Sequence, residues 1–341
     1  MRTVLALWVV LGHVAGRDHV PSALGAARTA LRNVFQTALE TNPAVIMFMV
    51  LSGYCIHRSG MRSAAGIPAY GTRRAFRIVP VFVVAALLGA VVANLGFVAG
   101  QQFSLAGFVT KLLGLSGFWA PWNAFTYQGN APLHTVMVEI WLYVVYALVI
   151  MLLSRGLREA HLWGAFFTVW FVGVMYCRGN PDLTNWWHNG SVFGFLIYWW
   201  IGAWFVANRL PRKGILGLLG VWLILTIILR TGMTTELFIV EFRKLVFATL
   251  AGTLIAQIDR PVAWSLGVVG LAGYSLYAFH IPVLHTGIAL GLPWFITLIA
   301  ICVVGGLAYV LIERPGTSLG KTFATKQNRR SAHLAELAKR A

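Results

Sequence analysis

Residues 133–153 read LHTVMVEIWLYVVYALVIMLL, and this stretch decides the fold class. It is long enough for one helix to cross a bilayer, which takes about 20 largely apolar residues. Glu139 is its one acidic residue, and it contains no Lys or Arg. The whole chain of 341 residues is 58% hydrophobic and 11% charged, with a mean hydropathy of +0.74. In soluble domains roughly a quarter of all residues are charged. Because this chain has far fewer, we predict an all-α integral membrane protein.

Other apolar stretches accompany this one, and together they predict about ten transmembrane helices. The approximate bounds of the ten spans are 2–16, 34–57, 78–99, 133–153, 161–177, 191–207, 214–230, 238–257, 264–290 and 293–312. Residues 104–118 are also apolar but include Lys111 and three glycines, which favours a re-entrant or interfacial segment. The chain becomes polar after about residue 315. We therefore predict a membrane domain over residues 1–315 and a basic tail over residues 316–341.

The basic residues predict the orientation of the chain in the membrane. With the N-terminus inside, 19 of the 27 Lys and Arg residues fall in inner loops or at inner ends, and eight fall outside. Short cytoplasmic loops carry such an excess of positive charge, so both termini and the tail are predicted to be cytoplasmic. The net charge of +17 is then explained by basic residues at helix ends, which set topology, and by the basic tail. We do not expect nucleic acid as a partner, because the charges lie between apolar spans and not on one compact face.

Arg2 and His13 are the first pair of polar residues that stand out. Eleven helical steps of 100° return to within about 20° of the starting direction, so both side chains project from one helix face, about 16 Å apart along the axis. This spacing places a cation at the inner surface and an imidazole near the middle of the membrane. Ionisable residues at that depth are usually functional, although a topology-setting arginine and a packed histidine would give the same spacing.

Glu139 is the second such residue, with Tyr143 and Tyr146 on the same helix face. A carboxylate and two phenols on one stripe predict a polar channel lining. A structural hydrogen bond, or a partner for an arginine, would explain the same pattern.

The segment GYSLYAFHIP at residues 273–282 carries the third polar stripe. Tyr274, Tyr277 and His280 share one helix face, and Pro282 can kink the helix just beyond them. These side chains are candidates for ligand binding. Aromatic residues that lie at the membrane interface would give the same sequence pattern.

Two further features lie near the predicted inner surface. Ser52 and Gly53 are small residues that allow close helix packing, and a serine nucleophile is the weaker alternative. Arg73, Arg74 and Arg77 form a basic cluster that fits topology and anionic lipid, or a clamp for phosphate groups, since arginine binds phosphate bidentately. The cysteines and histidines show no metal-ligand spacing, so we predict no metal site.

Five segments in chain order resemble motifs of the acyltransferase-3 family, whose members O-acylate sugars at the bacterial inner membrane. They are RTVLALWVVLGH at 2–13, FMVLSGYCI at 48–56, RRAFRIVP at 73–80, VEIWLY at 138–143 and GYSLYAFHIP at 273–282. IERP at 312–315 resembles the close of the family's last helix. The similarity extends over the whole chain, and the order of the motifs makes it more specific than any one of them.

The resemblance implies transfer of an acyl group, most often acetyl, from acyl-CoA to a hydroxyl of a sugar or lipid-linked glycan. Acetyl-CoA or another acyl-CoA is then a substrate, and no permanently bound cofactor is expected. The residues implied are, for catalysis, His13 and Glu139; for the donor, Arg2, Arg73, Arg74, Arg77 and Ser52; and for the acceptor, Tyr143, Tyr274, Tyr277 and His280. His13 either deprotonates the acceptor hydroxyl, as a histidine can at neutral pH, or is itself acylated and passes the group on.

A transporter or flippase of a small solute or lipid-linked sugar is the alternative from another class. About ten spans with polar residues in the membrane suit it equally well. A non-catalytic scaffold explains the aromatic residues but not the spacing of Arg2 and His13.

Overall fold

The computed structural model describes residues 1–15, 22–23, 25–26, 29, 43–59, 66–98, 103–121, 129–233, 236–258 and 272–340, with side chains as far as residue 328. Within these ranges the chain is helical and contains no β-strand. The all-α prediction is confirmed for this part of the chain.

Thirteen α-helices are numbered here in chain order. They are α1 (Arg2–Val14), α2 (Pro43–Arg58), α3 (Ile67–Asn94), α4 (Leu105–Leu113), α5 (Leu133–Ser154), α6 (Glu159–Cys177), α7 (Pro181–Asn189), α8 (Val192–Trp204), α9 (Arg212–Arg230), α10 (Leu237–Ile258), α11 (Gly273–Ala289), α12 (Trp294–Ala308) and α13 (Arg314–Arg340). A 3₁₀ turn over Leu115–Gly117 follows α4, and one π-helical turn over Tyr309–Glu313 joins α12 to α13.

Five helical segments among the described residues are long and apolar enough to cross a membrane. They are Ile67–Asn94, Leu133–Ser154, Glu159–Cys177, Arg212–Arg230 and Trp294–Asn328. α1 and α2 are apolar but shorter. The predicted number of about ten spans and the predicted side of the termini remain predictions, because parts of the spans 34–57 and 264–290 lie outside the described residues.

Several helix boundaries differ from those predicted by hydropathy alone. The span predicted to begin at residue 78 belongs to α3, which begins at Ile67 and includes the arginine cluster. Pro68 in the first turn of α3 explains this start, because proline is well tolerated where the helix has no partner for its N–H groups. The segment 104–118 forms α4 and the 3₁₀ turn, with Lys111 buried.

The predicted tail does not leave the helix bundle at residue 316. The chain continues as helix from α12 through the π turn into α13, and α13 packs along α3. The ring of Phe323 stacks on Phe76 with 5.3 Å between centroids, and Thr72 donates a hydrogen bond to Gln327. The tail therefore covers the part of α3 that carries the arginines.

The closest helix crossing is between α2 and α8, at the centre of the main hydrophobic core. A Cβ atom added at Gly53 would lie 1.9 Å from the carbonyl oxygen of Trp199, and one at Gly202 would lie 1.9 Å from that of Val50. No side chain fits in these two places, so the two backbones meet directly. This is the role of small residues at helix contacts in membranes.

At the periphery, α9 and α12 present apolar side chains outward. Of the α9 residues only Trp222 and Leu225 are buried, against α10. Exposed side chains on α12 include Phe295, Ile299 and Val303. Apolar surface of this extent is stable in lipid and would aggregate in water.

Replacing Gly53 with Ala should lower stability, because the new methyl group would overlap the Trp199 carbonyl and force α2 and α8 apart. Overpacking of this kind costs about 1–3 kcal/mol, measured here as a lower midpoint of thermal unfolding in detergent. Gly217→Ala on α9 is the matched control, since nothing lies within 4 Å of its added Cβ. An equal midpoint for the two variants would contradict the assigned backbone contact.

Candidate active site

A polar cluster lies where α2 meets α5. The carboxylate oxygen Oε1 of Glu139 accepts a hydrogen bond of 2.6 Å from Ser52 Oγ and a second from the hydroxyl of Tyr143. Trp199 Nε1 donates to Ser52 Oγ at 3.4 Å, so the α2–α8 crossing supports the same cluster. Both hydroxyl groups act as donors to this carboxylate.

Arg2 faces this carboxylate across a small pocket. The pocket has a volume of about 40 Å³ and lies between the start of α1, α2, α5 and α11. Its polar lining residues are Arg2, Thr135, Glu139, Tyr274 and Tyr277. Glu139 attracts the guanidinium of Arg2 electrostatically. The structure thus brings Arg2, Ser52, Glu139 and Tyr143 together, while Tyr146 of the predicted stripe pairs with His57 Nδ1 at 3.1 Å.

The three arginines of α3 differ in their surroundings. Arg74 lies over the rings of Tyr70 and Tyr143, with its guanidinium carbon 5.7 and 5.4 Å from their centroids. Arg77 forms a salt bridge of 3.2 Å with Glu313, and Arg73 is half-buried on the side of α3 that faces α13. Arg74 thus contacts Tyr143, which belongs to the Glu139 cluster, whereas Arg77 is paired with Glu313.

Glu313 is a buried acid whose charge acts on Arg2, and the sequence did not point to it by itself. It is 1% exposed and lies at the end of the π-helical turn, where it accepts hydrogen bonds from Arg77 and from Ser275 Oγ at 2.7 Å. Single π-helical turns are frequent at functional sites. The carboxylate of Glu313 thus links α3, which carries Arg77, to α11, which carries Ser275.

The tyrosines of α11 make hydrogen bonds with neighbouring helices. Tyr274 donates to the carbonyl oxygen of Ile78 at 3.0 Å. The Tyr277 hydroxyl lies 2.6 Å from Thr135 Oγ1 and 3.3 Å from the carbonyl oxygen of Pro132, and both Tyr277 and Thr135 line the pocket.

His13 and His280 are in ring contact next to Tyr277. Their ring centroids are 5.3 Å apart, and the ring of Tyr277 lies 5.5 Å from that of His280. His13 is in the last turn of α1 and is exposed, whereas His280 is completely buried. Tyr277 lines the Arg2 pocket and its ring contacts that of His280, whereas neither histidine is among the described residues that line the pocket.

Asn130 fixes the helix that carries His280. Pro282 has no N–H group, so the carbonyl of Ala278, four residues earlier, lacks its helical donor. Asn130 Nδ2 supplies that donor at 2.9 Å and lies 3.3 Å from the carbonyl oxygen of Ala85 on α3. Lys111 in turn donates to the Asn130 carbonyl oxygen at 2.7 Å. Pro282 was the one signal in the sequence that such a donor would be needed.

A second polar cluster links α7, α8 and α10. Glu241 accepts hydrogen bonds from Lys244 at 2.7 Å and from the hydroxyl of Tyr198, and His188 Nδ1 lies 2.6 Å from the carboxylate and 2.6 Å from Lys244 Nζ. All four side chains are buried. These are mutual contacts among charged and polar groups that stabilise the packing of α7 on α10.

An apolar cavity of about 510 Å³ lies between α6, α7 and residues 118–121. Trp119, Tyr176, Trp186 and Trp187 contribute to its lining, and none of the described residues that line it is Lys, Arg, His, Asp or Glu. It shares no lining residue with the Arg2 pocket. In the described part of the chain, no group of three or more His, Cys, Asp or Glu residues is arranged to hold a metal ion.

Replacing Asn130 with Ala should destabilise the protein, because the Ala278 carbonyl would be buried without a donor. An unsatisfied buried polar group costs about 1–3 kcal/mol. The cost should fall in a Pro282→Ala background, where residue 282 regains the N–H that the helix needs. A double-mutant cycle on unfolding midpoints measures this coupling. Additive effects of the two changes would show that Asn130 does not compensate for Pro282.

Comparison with known proteins identifies the family of the chain. A search of curated proteins and a search of solved structures return no match. A family model described as an acyltransferase domain matches residues 1–312 of the 341. The match covers the helices that carry both the Arg2 pocket and the histidine pair. The chain therefore belongs to the acyltransferase-3 family of membrane acyltransferases.

Proposed function

We propose that this protein is an O-acyltransferase that moves an acetyl group from acetyl-CoA to a hydroxyl of a sugar or lipid-linked glycan. We place it in a bacterial inner membrane, with both termini in the cytoplasm. The observation that carries the proposal is the Arg2–His13 face of α1, with a charged pocket at one end and a histidine pair at the other.

The donor would enter from the side of the arginines. Arg74 is the best-placed of them, because its guanidinium already contacts Tyr143 and so adjoins the Glu139 cluster. CoA phosphates bound there would leave the flexible pantetheine arm directed toward Arg2 and the pocket. Arginine suits this role because its planar group makes charge-assisted, bidentate bonds with phosphate.

The pocket must widen before the arm can pass. A volume of about 40 Å³ holds only a water molecule or two. Tyr277 is the side chain whose movement would open it toward His280, since it lines the pocket, its hydroxyl is bonded to Thr135 and its ring contacts that of His280. Once open, the pocket would let the thioester reach His13.

His13 would supply the base that a sugar hydroxyl requires at neutral pH. Histidine is the side chain whose pKa is best matched to that task. Two routes stay open: the activated hydroxyl attacks the thioester directly, or His13 is first acylated and then transfers the group. In both routes Glu139 would act with Arg2 on the donor, because it lies at the Arg2 end of α1.

His13→Gln should abolish acetyl transfer while leaving the fold intact, because Gln keeps hydrogen bonding but cannot accept a proton at neutral pH. Loss of a positioned base lowers the rate about 10²–10⁴-fold. The measurement is release of the CoA thiol from acetyl-CoA in the presence of envelope glycan extract. His161→Gln, at an exposed position on α6, is the matched control. Near-normal turnover of a well-folded His13→Gln protein would remove His13 from catalysis.

Arg74→Gln should raise the KM for acetyl-CoA about tenfold, as expected for loss of one charge-assisted hydrogen bond. Arg77→Gln should instead lower the unfolding midpoint, since it leaves Glu313 buried without its cation. Arg155→Gln, in an exposed turn, controls for the loss of one positive charge. An unchanged KM in Arg74→Gln would exclude this residue from the donor site.

A further inference from the structure

We propose that His280 is the proton acceptor for His13, so that the two histidines act as one relay during acyl transfer. This inference rests on the proposed function and assigns His280 a role other than contact with the acceptor. His280 would act through His13 and is in that sense a positioning residue.

The first observation is the state of the His280 ring. Its Nδ1 lies 2.6 Å from the carbonyl oxygen of Tyr277. A carbonyl oxygen can only accept a hydrogen bond, so Nδ1 carries the hydrogen. In the neutral ring the other nitrogen, Nε2, is then a bare acceptor. The backbone contact thus selects the tautomer that can receive a proton.

The second observation is where that acceptor lies. Nε2 of His280 is buried and has no hydrogen-bond partner among the described residues. A buried polar atom left without a partner costs about 1–3 kcal/mol, and such atoms in native proteins call for an explanation. An acceptor whose partner arrives only during the reaction provides one.

The third observation is the distance to His13. The two ring centroids are 5.3 Å apart, with 40° between the ring planes. The rings are in contact, but Nε2 of His280 makes no hydrogen bond with His13 in this structure. Rotation of the exposed His13 side chain would bring one of its nitrogens to hydrogen-bond distance, about 3 Å. His13 is exposed and His280 is buried, so His13 can meet substrate on one side and His280 on the other.

The helix around His280 is held in place by independent contacts. Asn130 binds the carbonyl of Ala278, two residues before His280, and Ser275 on the same helix donates to Glu313. Pro282 lies two residues after it and frees that carbonyl for Asn130. The ring is therefore fixed in position without any bond to Nε2.

The relay balances as follows for direct transfer. The acceptor oxygen forms a bond with the acyl carbon, and the bond between that carbon and the CoA sulfur breaks. The hydroxyl proton passes to one nitrogen of His13, while the proton on the other nitrogen passes to His280 Nε2. Both shifts reverse as the CoA sulfur takes up a proton and leaves as the thiol. The Tyr277 carbonyl stabilises the transient positive charge on His280.

Two substitutions separate this role from a packing role. His280→Asn keeps an N–H that can bond with the Tyr277 carbonyl but has no atom in place of Nε2. His280→Gln keeps an amide near the Nε2 position that cannot hold an extra proton. Both should lower kcat about 10²-fold, in the range of general base catalysis, with the KM for acetyl-CoA changed by less than about threefold. Unfolding midpoints in detergent identify any variant that is not folded.

The deciding measurement is the rate of a single turnover in mixtures of H₂O and D₂O, with acetyl-CoA and envelope glycan extract. A relay moves two protons and gives a curved dependence on the D₂O fraction in the wild type and a straight line in the folded His280 variants. The relay would be overturned by a rate that depends linearly on the D₂O fraction in the wild type, or by a curved dependence that persists in the His280 variants. The wild-type measurement decides the question even if both variants unfold. His13→Gln is measured in parallel. If the His13→Gln variant is inactive and the His280 variants are fully active, the relay is wrong but the proposed function stands. If the wild-type protein transfers no acetyl group, the proposed function itself is wrong.

Discussion

The contact on which the rest of the structure depends is the glycine-to-backbone crossing of α2 and α8. Gly53 lets α8 approach until Trp199 can bond with Ser52, and Ser52 in turn holds Glu139. The residue before Trp199 is Tyr198, which projects to the other polar cluster and bonds with Glu241. One close crossing, made possible by the absence of two side chains, thus fixes both groups of buried polar residues.

Local periodicity predicted the parts of the site that lie on single helices. Glu139 and Tyr143 are one turn apart, and the structure joins them by a hydrogen bond. The common face of Tyr277 and His280 appears as a ring contact of 5.5 Å. Such pairs follow from 3.6 residues per turn and need no knowledge of how the helices pack.

The roles of Asn130 and Glu313 could not be predicted, because the residues with which they bond are distant in the chain. Asn130 bonds with a carbonyl 148 positions away, and Glu313 with an arginine 236 positions away. A sequence shows that Pro282 frees a carbonyl, but it does not show which side chain replaces the lost donor. For the same reason the Arg73–Arg77 motif looked like one cluster, whereas helix packing gives Arg74 and Arg77 different partners.

The distribution of charge supports the proposed role of Glu139 in preference to Glu241 or Glu313. Glu241 and Glu313 are each 1% exposed and form salt bridges of 2.7 and 3.2 Å with Lys244 and Arg77. These pairs are desolvated and satisfied, so opening either would leave a buried charge alone, which is strongly destabilising. Glu139 is instead half-buried, is bound by neutral hydroxyls, and faces Arg2 across a cavity. Its hydrogen bonds can be exchanged for bonds to a polar ligand at little cost, which is the condition that a substrate-handling carboxylate has to meet.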